Sequence, residues 1–240
     1  MDVRKLILIG SAAAAIAFLV LAPPIAQPPE YHSFADQRPM LGLPNFWNVV
    51  SNLPFAVVGA LGLLRMKDPA SRVLFAGVLL TSAGSAYYHF QPNDATLVWD
   101  RLPMTLVFMA LLSMVLGQWV SEPWERLSLK PLVAAGIASV LWWERTGDLR
   151  PYLLAQFGPL LIVLPALFMV EPVRGLWPAV LLYALAKLAE SFDPQIYKAL
   201  VLSGHTWKHF LAALATWYIL RWRSGRPSAP APSGRGSETG

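Results

Sequence analysis

The sequence predicts an all-α, polytopic membrane protein: a seven-transmembrane-helix bundle with one extra N-terminal helix. Of its 240 residues, 55% are hydrophobic and only 14% are charged, whereas charged residues make up about a quarter of a typical soluble domain. Apolar runs recur along the chain, and most are long enough to cross a hydrocarbon core of about 30 Å. Because these runs are continuous rather than alternating, they favour helices over a closed barrel.

The first apolar run, residues 6–22, follows Arg4 and Lys5 and is typical of either a signal peptide or a first spanning helix. Pro24-Ile25-Ala26 is a poor cleavage site, so we expect a retained helix. Seven further spans are predicted at residues 45–64, 71–90, 99–118, 130–143, 151–170, 174–190 and 205–222.

Three segments follow from these spans. Residues 1–27 are predicted to form an N-terminal membrane helix or signal anchor, and residues 28–222 a seven-helix membrane domain. Residues 223–240 are rich in Pro, Ser and Gly, a composition typical of a disordered tail.

The basic residues predict the orientation. With the N-terminus inside, the inner segments hold twelve of the nineteen Lys and Arg residues, and the outer loops hold five. Positive charge is enriched on the cytoplasmic side of membrane proteins, so both termini are predicted to be cytoplasmic. The net charge of +5 lies mainly in loops and the tail. We attribute it to this orientation and expect the lipid bilayer, not nucleic acid, as the partner.

Ionisable residues within or beside the spans give the functional clue. Ser85 and His89 are four residues apart at the end of one apolar run, and Asp100 begins the next. His205 and His209, also four apart, begin the last run. Residues four apart share a helix face, and the predicted topology places all these side chains at the outer end of the bundle. Intramembrane ionisable groups mark functional sites.

Three imidazoles and a carboxylate are a ligand set that suits zinc. The absence of cysteine excludes thiolate ligands and a disulfide framework. Asp100 is predicted to bind the metal or to take a proton from water, and the alternative is a partner for Arg101 or a helix cap. Ser85 is predicted to stabilise water or an oxyanion, or else to permit close helix packing.

Other polar and aromatic residues have simpler interpretations. Asn48, Ser51 and Asn52 are predicted first to hydrogen-bond helices together and second to support the site. Lys208 is predicted to point away from the histidines and to extend to a lipid headgroup. The following aromatic residues fit an interfacial belt or a pocket lining: Tyr87, Tyr88, Trp99 and Trp207.

The motifs FWNVVSN, Ser-x-x-x-His followed eleven residues later by the Asp of WDRLPMT, and SGHTWKH resemble the alkaline ceramidase family. That family belongs to the CREST superfamily of seven-helix membrane hydrolases and receptors. The resemblance covers roughly residues 34–220. It implies zinc ligands at His89, His205 and His209, Asp100 as a further ligand or base, and Ser85 as a stabiliser of water and oxyanion.

The resemblance implies a zinc-dependent amidohydrolase that cleaves the amide of a ceramide-like N-acyl lipid. The products would be a free fatty acid and a sphingoid-type amine, and the substrate would carry a long acyl chain. The alternative is a receptor-like or structural lipid-binding protein with a non-catalytic zinc. The family's calcium cluster is largely missing: Asn45 replaces its Glu, and upstream only Asp36 and Glu30 offer carboxylates. Calcium bound through Asp36 is therefore the less favoured second cofactor.

Overall fold

Helices dominate the computed structural model, which describes residues 2–225. The helices are α1 (Val3–Leu21), α2 (Phe46–Val50), α3 (Leu53–Arg65), α4 (Pro69–Phe90), α5 (Asp94–Trp119), α6 (Glu122–Thr146), α7 (Arg150–Phe157), α8 (Leu160–Met169), α9 (Trp177–Ser191), α10 (Asp193–Ala199) and α11 (Gly204–Ser224). Two 3-10 turns lie at Pro29–His32 and Glu171–Leu176. These residues contain no β-strand, only an isolated bridge between Met40 and Leu43. The all-α prediction is confirmed.

Within residues 2–225, five helical segments are long and apolar enough to cross a membrane. They are Val3–Leu21, Phe46–Arg65, Pro69–Phe90, Asp94–Trp119 and Arg150–Met169. These segments support the prediction of a membrane protein. The helices α6, α9 and α11 coincide with further predicted spans but fall outside this group of five.

The helices differ from the predicted spans in several details. The fifth span, predicted at 130–143, lies within the 25-residue helix α6. Two spans are interrupted, between α2 and α3 and between α7 and α8, and each break lies next to a proline, Pro54 or Pro159. Helix α11 extends to Ser224, so the predicted disordered tail cannot begin at residue 223. Its remainder, residues 226–240, lies outside the described residues.

Helix α11 closes the bundle. It packs against α9 on one side and α3 on the other, while α4 packs between α3 and α5, and α5 packs against α6. The main apolar core lies between these helices and includes Leu74, Phe75, Met114 and Leu167. Helix α1 packs against α7 and α8 but buries none of its own residues. It is therefore peripheral to the bundle.

Two glycines bring helices close together beside the predicted site. A Cβ at Gly84 of α4 would lie 2.0 Å from the carbonyl oxygen of Trp99 on α5. A Cβ at Gly204 of α11 would lie 2.1 Å from the carbonyl oxygen of Ala189 on α9. Only glycine permits backbones to approach this closely. These contacts fix the separation of α4 from α5 and of α9 from α11 at the level where the histidines lie.

The connector between α1 and α2 is tied to the same end of the bundle. The Asn48 side chain donates to the carbonyl of Asp36 (3.0 Å) and accepts from the hydroxyl of Thr206 (3.0 Å). The Asp193 carboxylate accepts from the backbone N–H groups of Ala35 (2.8 Å) and His205 (2.7 Å). These bonds hold the connector against the first turn of α11.

Candidate metal centre

Three histidines from two helices converge in the interior. His89 lies in the last turn of α4, and His205 and His209 lie in the first turns of α11. The Nε2 atom of His89 is 3.2 Å from that of His209 and 3.3 Å from that of His205. One ligand atom from each of the three lies within 4.8 Å of the others, and all three residues are buried. The predicted convergence of these histidines is confirmed.

The spacing of these nitrogens fits a metal ion. Tetrahedral ligands at about 2.0–2.1 Å from zinc are about 3.3–3.4 Å from one another, which agrees with the two Nε2–Nε2 distances of 3.2 and 3.3 Å. A neutral imidazole has one N–H donor and one acceptor. His89 Nε2 would therefore have to share a single proton or lone pair between two partners. A cation between the three nitrogens resolves this conflict, so the group can hold a metal.

Hydrogen bonds beyond the nitrogens orient His209. Its Nδ1 atom is 2.7 Å from the hydroxyl of Ser51, which donates in turn to the carbonyl of Asn48 at 3.3 Å. With Nδ1–H donating to Ser51, the lone pair of His209 is on Nε2 and points at the other histidines. Ser51 therefore supports the site, as the second interpretation of this residue predicted. Asn48 hydrogen-bonds the connector and α11, as the packing interpretation predicted.

The connector also covers the histidines. The ring of Phe34 packs against those of His89 and His205, with centroid distances of 4.7 and 4.6 Å. The side chain of Asn45 donates to the carbonyl of His89 at 2.9 Å. His89 Nδ1 is buried without a hydrogen-bond partner. Nothing in the sequence pattern pointed to Phe34, because it lies far from every histidine motif along the chain.

Ser85 and Asp100 lie beside this group. Ser85 is 3% exposed and Asp100 is 7% exposed. Both side chains line the same cavity as His209. Asp100 is not one of the residues whose ligand atoms cluster within 4.8 Å. The arrangement therefore offers three imidazoles with a hydroxyl and a carboxylate next to them.

Lys208 contradicts its predicted orientation. Instead of extending to a headgroup, its ammonium lies 2.9 Å from His205 Nε2 and 2.9 Å from Glu190 Oε1. Lys208 follows His205 by three residues on α11, and residues three apart are neighbours on the helix surface. An ammonium and a metal ion need the same His205 lone pair, so they are mutually exclusive partners of that atom.

Glu190 was missed by the sequence analysis. It accepts hydrogen bonds from both Lys208 and Lys187 and lines the cavity. The signal was present in the sequence, since Lys187 and Glu190 are three residues apart inside an apolar run. The two lysines compensate its charge.

A cavity of about 170 Å³ leads away from the histidines. Its polar end includes Ser85, Asp100, Lys208 and His209, and its far end includes Leu111 and Ile219. Asp100 and Leu111 are eleven residues apart on α5, which corresponds to about 16 Å along a helix. The cavity is thus long, polar at one end and apolar over most of its walls.

The residue considered for calcium is already paired. Both carboxylate oxygens of Asp36 accept hydrogen bonds from the Arg38 side chain, at 2.8 and 2.7 Å. Burial raises the pKa of Asp36, but the hydrogen bonds from the Arg38 side chain and backbone outweigh it and hold the pKa below its ordinary value. A carboxylate bound to a guanidinium has little capacity left for a cation, which disfavours calcium at Asp36.

Of the four aromatic residues considered for a belt, three are exposed and one is not. Tyr87, Trp99 and Trp207 are 48%, 58% and 39% exposed, whereas Tyr88 is 1% exposed. The hydroxyl of Tyr88 lies 3.0 Å from Nδ1 of His32, the fourth histidine. Tyr88 therefore packs inside the protein under the connector.

Comparison of the chain with protein-family models, with curated proteins and with solved structures gives no match.

Proposed function

We propose that this chain is an integral-membrane, zinc-dependent hydrolase that cleaves the amide bond of a ceramide-like N-acyl lipid. The observation that carries the proposal is the convergence of three buried histidines, with His89 Nε2 3.2 and 3.3 Å from those of His209 and His205. They lie at the polar end of a long apolar cavity that Ser85 and Asp100 also line. The motif resemblance to alkaline ceramidases supports the same assignment.

The number of ligands favours a catalytic over a structural ion. Structural zinc sites fill all four positions with protein side chains, whereas catalytic sites have three protein ligands and leave one position open. His89, His205 and His209 supply three nitrogens, and they would hold the ion. A bound zinc supplies a Lewis acid that polarises a carbonyl oxygen and makes water more acidic.

The remaining residues have roles in moving protons and binding the substrate. Asp100 accepts the proton of the attacking water and returns it to the departing amine, so that one water is consumed for each amide cleaved. Ser85 donates its hydroxyl proton to a hydrogen bond with the developing oxyanion. Asp100 is not among the residues whose ligand atoms lie within 4.8 Å of one another, which favours the role of base over that of fourth ligand for this residue.

The cavity suits the acyl chain of such a substrate. An acyl chain in the apolar end, toward Leu111 and Ile219, would leave its carbonyl at Ser85 and His209. The products would then be a free fatty acid and an amine.

The proposal includes the membrane arrangement: a seven-helix bundle, α2–α3 to α11, preceded by α1. In this arrangement both termini are cytoplasmic and the metal centre lies toward the outer face. The excess of basic residues on the inner side supports this orientation.

The test is hydrolysis of N-acyl lipids by the detergent-purified, zinc-loaded protein, with fatty acid release measured by mass spectrometry. We expect turnover by the wild type and its loss in His89→Ala and His205→Ala. An exposed control, Arg145→Gln, should retain full activity. Wild-type levels of turnover in either histidine variant would contradict the proposal.

A further inference from the structure

Arg101 is a buried cation that the proposed reaction does not use. It follows Asp100 on α5, is 4% exposed and lines the same cavity as Ser85 and His209. Burying a charge is costly unless the charge is paired. Its partners therefore decide whether Arg101 is structural or belongs to a binding site.

Aromatic rings surround the guanidinium. Its central carbon lies 4.0 Å from the ring centroid of Trp143, 4.5 Å from that of Tyr152 and 5.7 Å from that of Tyr31. Cation–π contacts at these distances stabilise a desolvated guanidinium and fix its orientation. One nitrogen, Nη2, donates to the side chain of Gln27. Arg101 is therefore held in place from several sides.

Its hydrogen-bonding capacity is nevertheless largely unused. Nε and Nη1 are buried and have no hydrogen-bond partner. Among the described residues, no carboxylate oxygen lies within 4.0 Å of the guanidinium. Buried donors without acceptors are rare in folded proteins and call for an explanation.

The two lysines of the cavity have a carboxylate partner, because Lys187 and Lys208 both hydrogen-bond Glu190. The lining holds three cations and two carboxylates. Arg101 is the cation that has no carboxylate oxygen within 4.0 Å among the described residues. The cavity as a whole has a deficit of one negative charge at its polar end.

We propose that Arg101 binds a carboxylate at the polar end of an acyl lipid in this cavity, and that the substrate class is N-acyl amino acids. Guanidinium groups bind carboxylates through charge-assisted hydrogen bonds. With the acyl chain in the apolar end and the amide at Ser85 and His209, the amine portion of the substrate carries its carboxylate to Arg101. This inference rests on the proposed hydrolysis of an N-acyl lipid, and it places an amino acid where a ceramide has its sphingoid base.

The same chemistry is present in a free fatty acid, which is a product of the reaction. The two sources differ in position, because the carboxylate of a fatty acid forms at the scissile carbonyl and that of an N-acyl amino acid lies beyond the amide nitrogen. A binding experiment with matched lipids distinguishes them.

The test measures binding to the zinc-loaded, full-length protein in detergent by competition with a fluorescent fatty-acid analogue. The main probe is the γ-keto acid isostere of an N-acyl glycine, in which CH2 replaces the amide N–H, so that hydrolysis cannot occur. Its methyl ester and a free fatty acid of equal chain length are the comparison ligands. We expect the acid to bind at least about tenfold more tightly than its ester, as hydrogen bonds to a charged group predict.

Substitutions of Arg101 test whether this residue causes the preference for the acid over its methyl ester. Arg101→Gln should reduce the acid-to-ester ratio to about one, and Arg101→Lys should keep part of it because the charge remains. Arg145→Gln removes an exposed arginine and should leave the ratio unchanged. Zinc content and thermal unfolding establish that each variant is folded, and the wild-type ratio tests the inference even where a variant fails to fold.

An acid-to-ester ratio near one in the wild type, or a tenfold ratio retained in Arg101→Gln, would overturn the inference. A preference for the free fatty acid without one for the keto acid would overturn the assignment of N-acyl amino acids as substrates. The ratio of the affinities for the acid and the ester is measured without turnover, so it tests Arg101 even if the protein hydrolyses nothing. Failure of the proposed hydrolysis is detected separately, by the assay of fatty acid release.

Discussion

The α4–α5 pair and the α9–α11 pair contribute to the metal centre in parallel ways. Each pair is drawn together by a glycine against a facing carbonyl, Gly84 in one and Gly204 in the other. Each supplies histidine and a carboxylate that lines the cavity, Asp100 in one pair and Glu190 in the other. The carboxylates differ in their partners, because Glu190 is hydrogen-bonded by two lysines, whereas Asp100 lines the cavity with Ser85 and forms none of the ion pairs found among the described residues.

This difference gives the two carboxylates different roles, Asp100 in the reaction and Glu190 in stabilising the fold. A carboxylate held between two ammonium groups is compensated and is a poor proton acceptor, whereas one next to a hydroxyl remains available. We therefore assign the general base to the α4–α5 pair and a structural ion cluster to the α9–α11 pair. The predictions that follow test this division, beginning with the largest expected effect.

Asp100→Asn should reduce kcat by roughly 10²–10⁴, the usual contribution of a general base, while one zinc per chain is retained. Glu190→Gln should reduce kcat less than about tenfold and lower Tm, because it leaves two half-buried lysines without their carboxylate. Steady-state kinetics, zinc content and thermal unfolding of both variants provide the comparison. Equal losses of kcat in two variants that both retain zinc would contradict the assignment of Asp100 as the base and Glu190 as a structural residue.

Gly84→Ala and Gly204→Ala should both destabilise the protein, by about 1–3 kcal/mol or more, because the added methyl group would overlap a backbone carbonyl. Gly10→Ala is the matched control, since a Cβ there has nothing within 4 Å. Thermal unfolding in detergent measures the effect. Unchanged Tm in Gly84→Ala would contradict the close approach of α4 and α5.

Ser51→Ala should weaken zinc binding by about 10–100-fold, the usual cost of losing a group that orients a metal-bound histidine. Ser113→Ala is the control, because Ser113 is equally buried and bonds only a carbonyl of its own helix, that of Ala110 at 2.9 Å. Zinc affinity measured by competition with a chelator distinguishes the two. Equal affinities would show that Ser51 contributes to packing alone.

The smallest expected effect concerns the loop between α6 and α7, remote from the histidines. Hydrogen bonds from Arg150 lower the pKa of Asp148 below its ordinary value. A lowered folded-state pKa stabilises the protein above the unfolded pKa of about 3.9, and this contribution is lost as pH falls through the folded value. Asp148→Asn should therefore lower Tm at neutral pH. The difference in Tm between the wild type and this variant should become smaller below about pH 4. A difference independent of pH would contradict this pairing.

The sequence predicts the helices and the histidines well because both depend on local patterns. Apolar runs locate the spans, and i,i+4 spacing places Ser85 with His89 and His205 with His209. The distribution of Lys and Arg residues between the two sides of the predicted spans also predicts that these groups lie at one depth in the membrane. Their convergence was therefore predictable without knowing which helices are neighbours.

Contacts between distant segments were not predictable in this way. Phe34 covers the histidines from the connector, and Glu190 meets Lys208 across two helices. Lys208 was assigned to a headgroup because a charged side chain in an apolar run extends to water unless a partner is known. The partner lies eighteen residues earlier in the chain, and no spacing rule connects the two.

The proposed site holds a metal ion between His89, His205 and His209. The metal content of the detergent-purified wild-type protein, measured beside that of His209→Ala, tests for this ion. We predict about one zinc per chain in the wild type and its loss, together with hydrolysis, in the variant. A wild-type protein that contains no metal after purification with zinc supplied would contradict the account. The three histidines would then serve to pack α4 against α11.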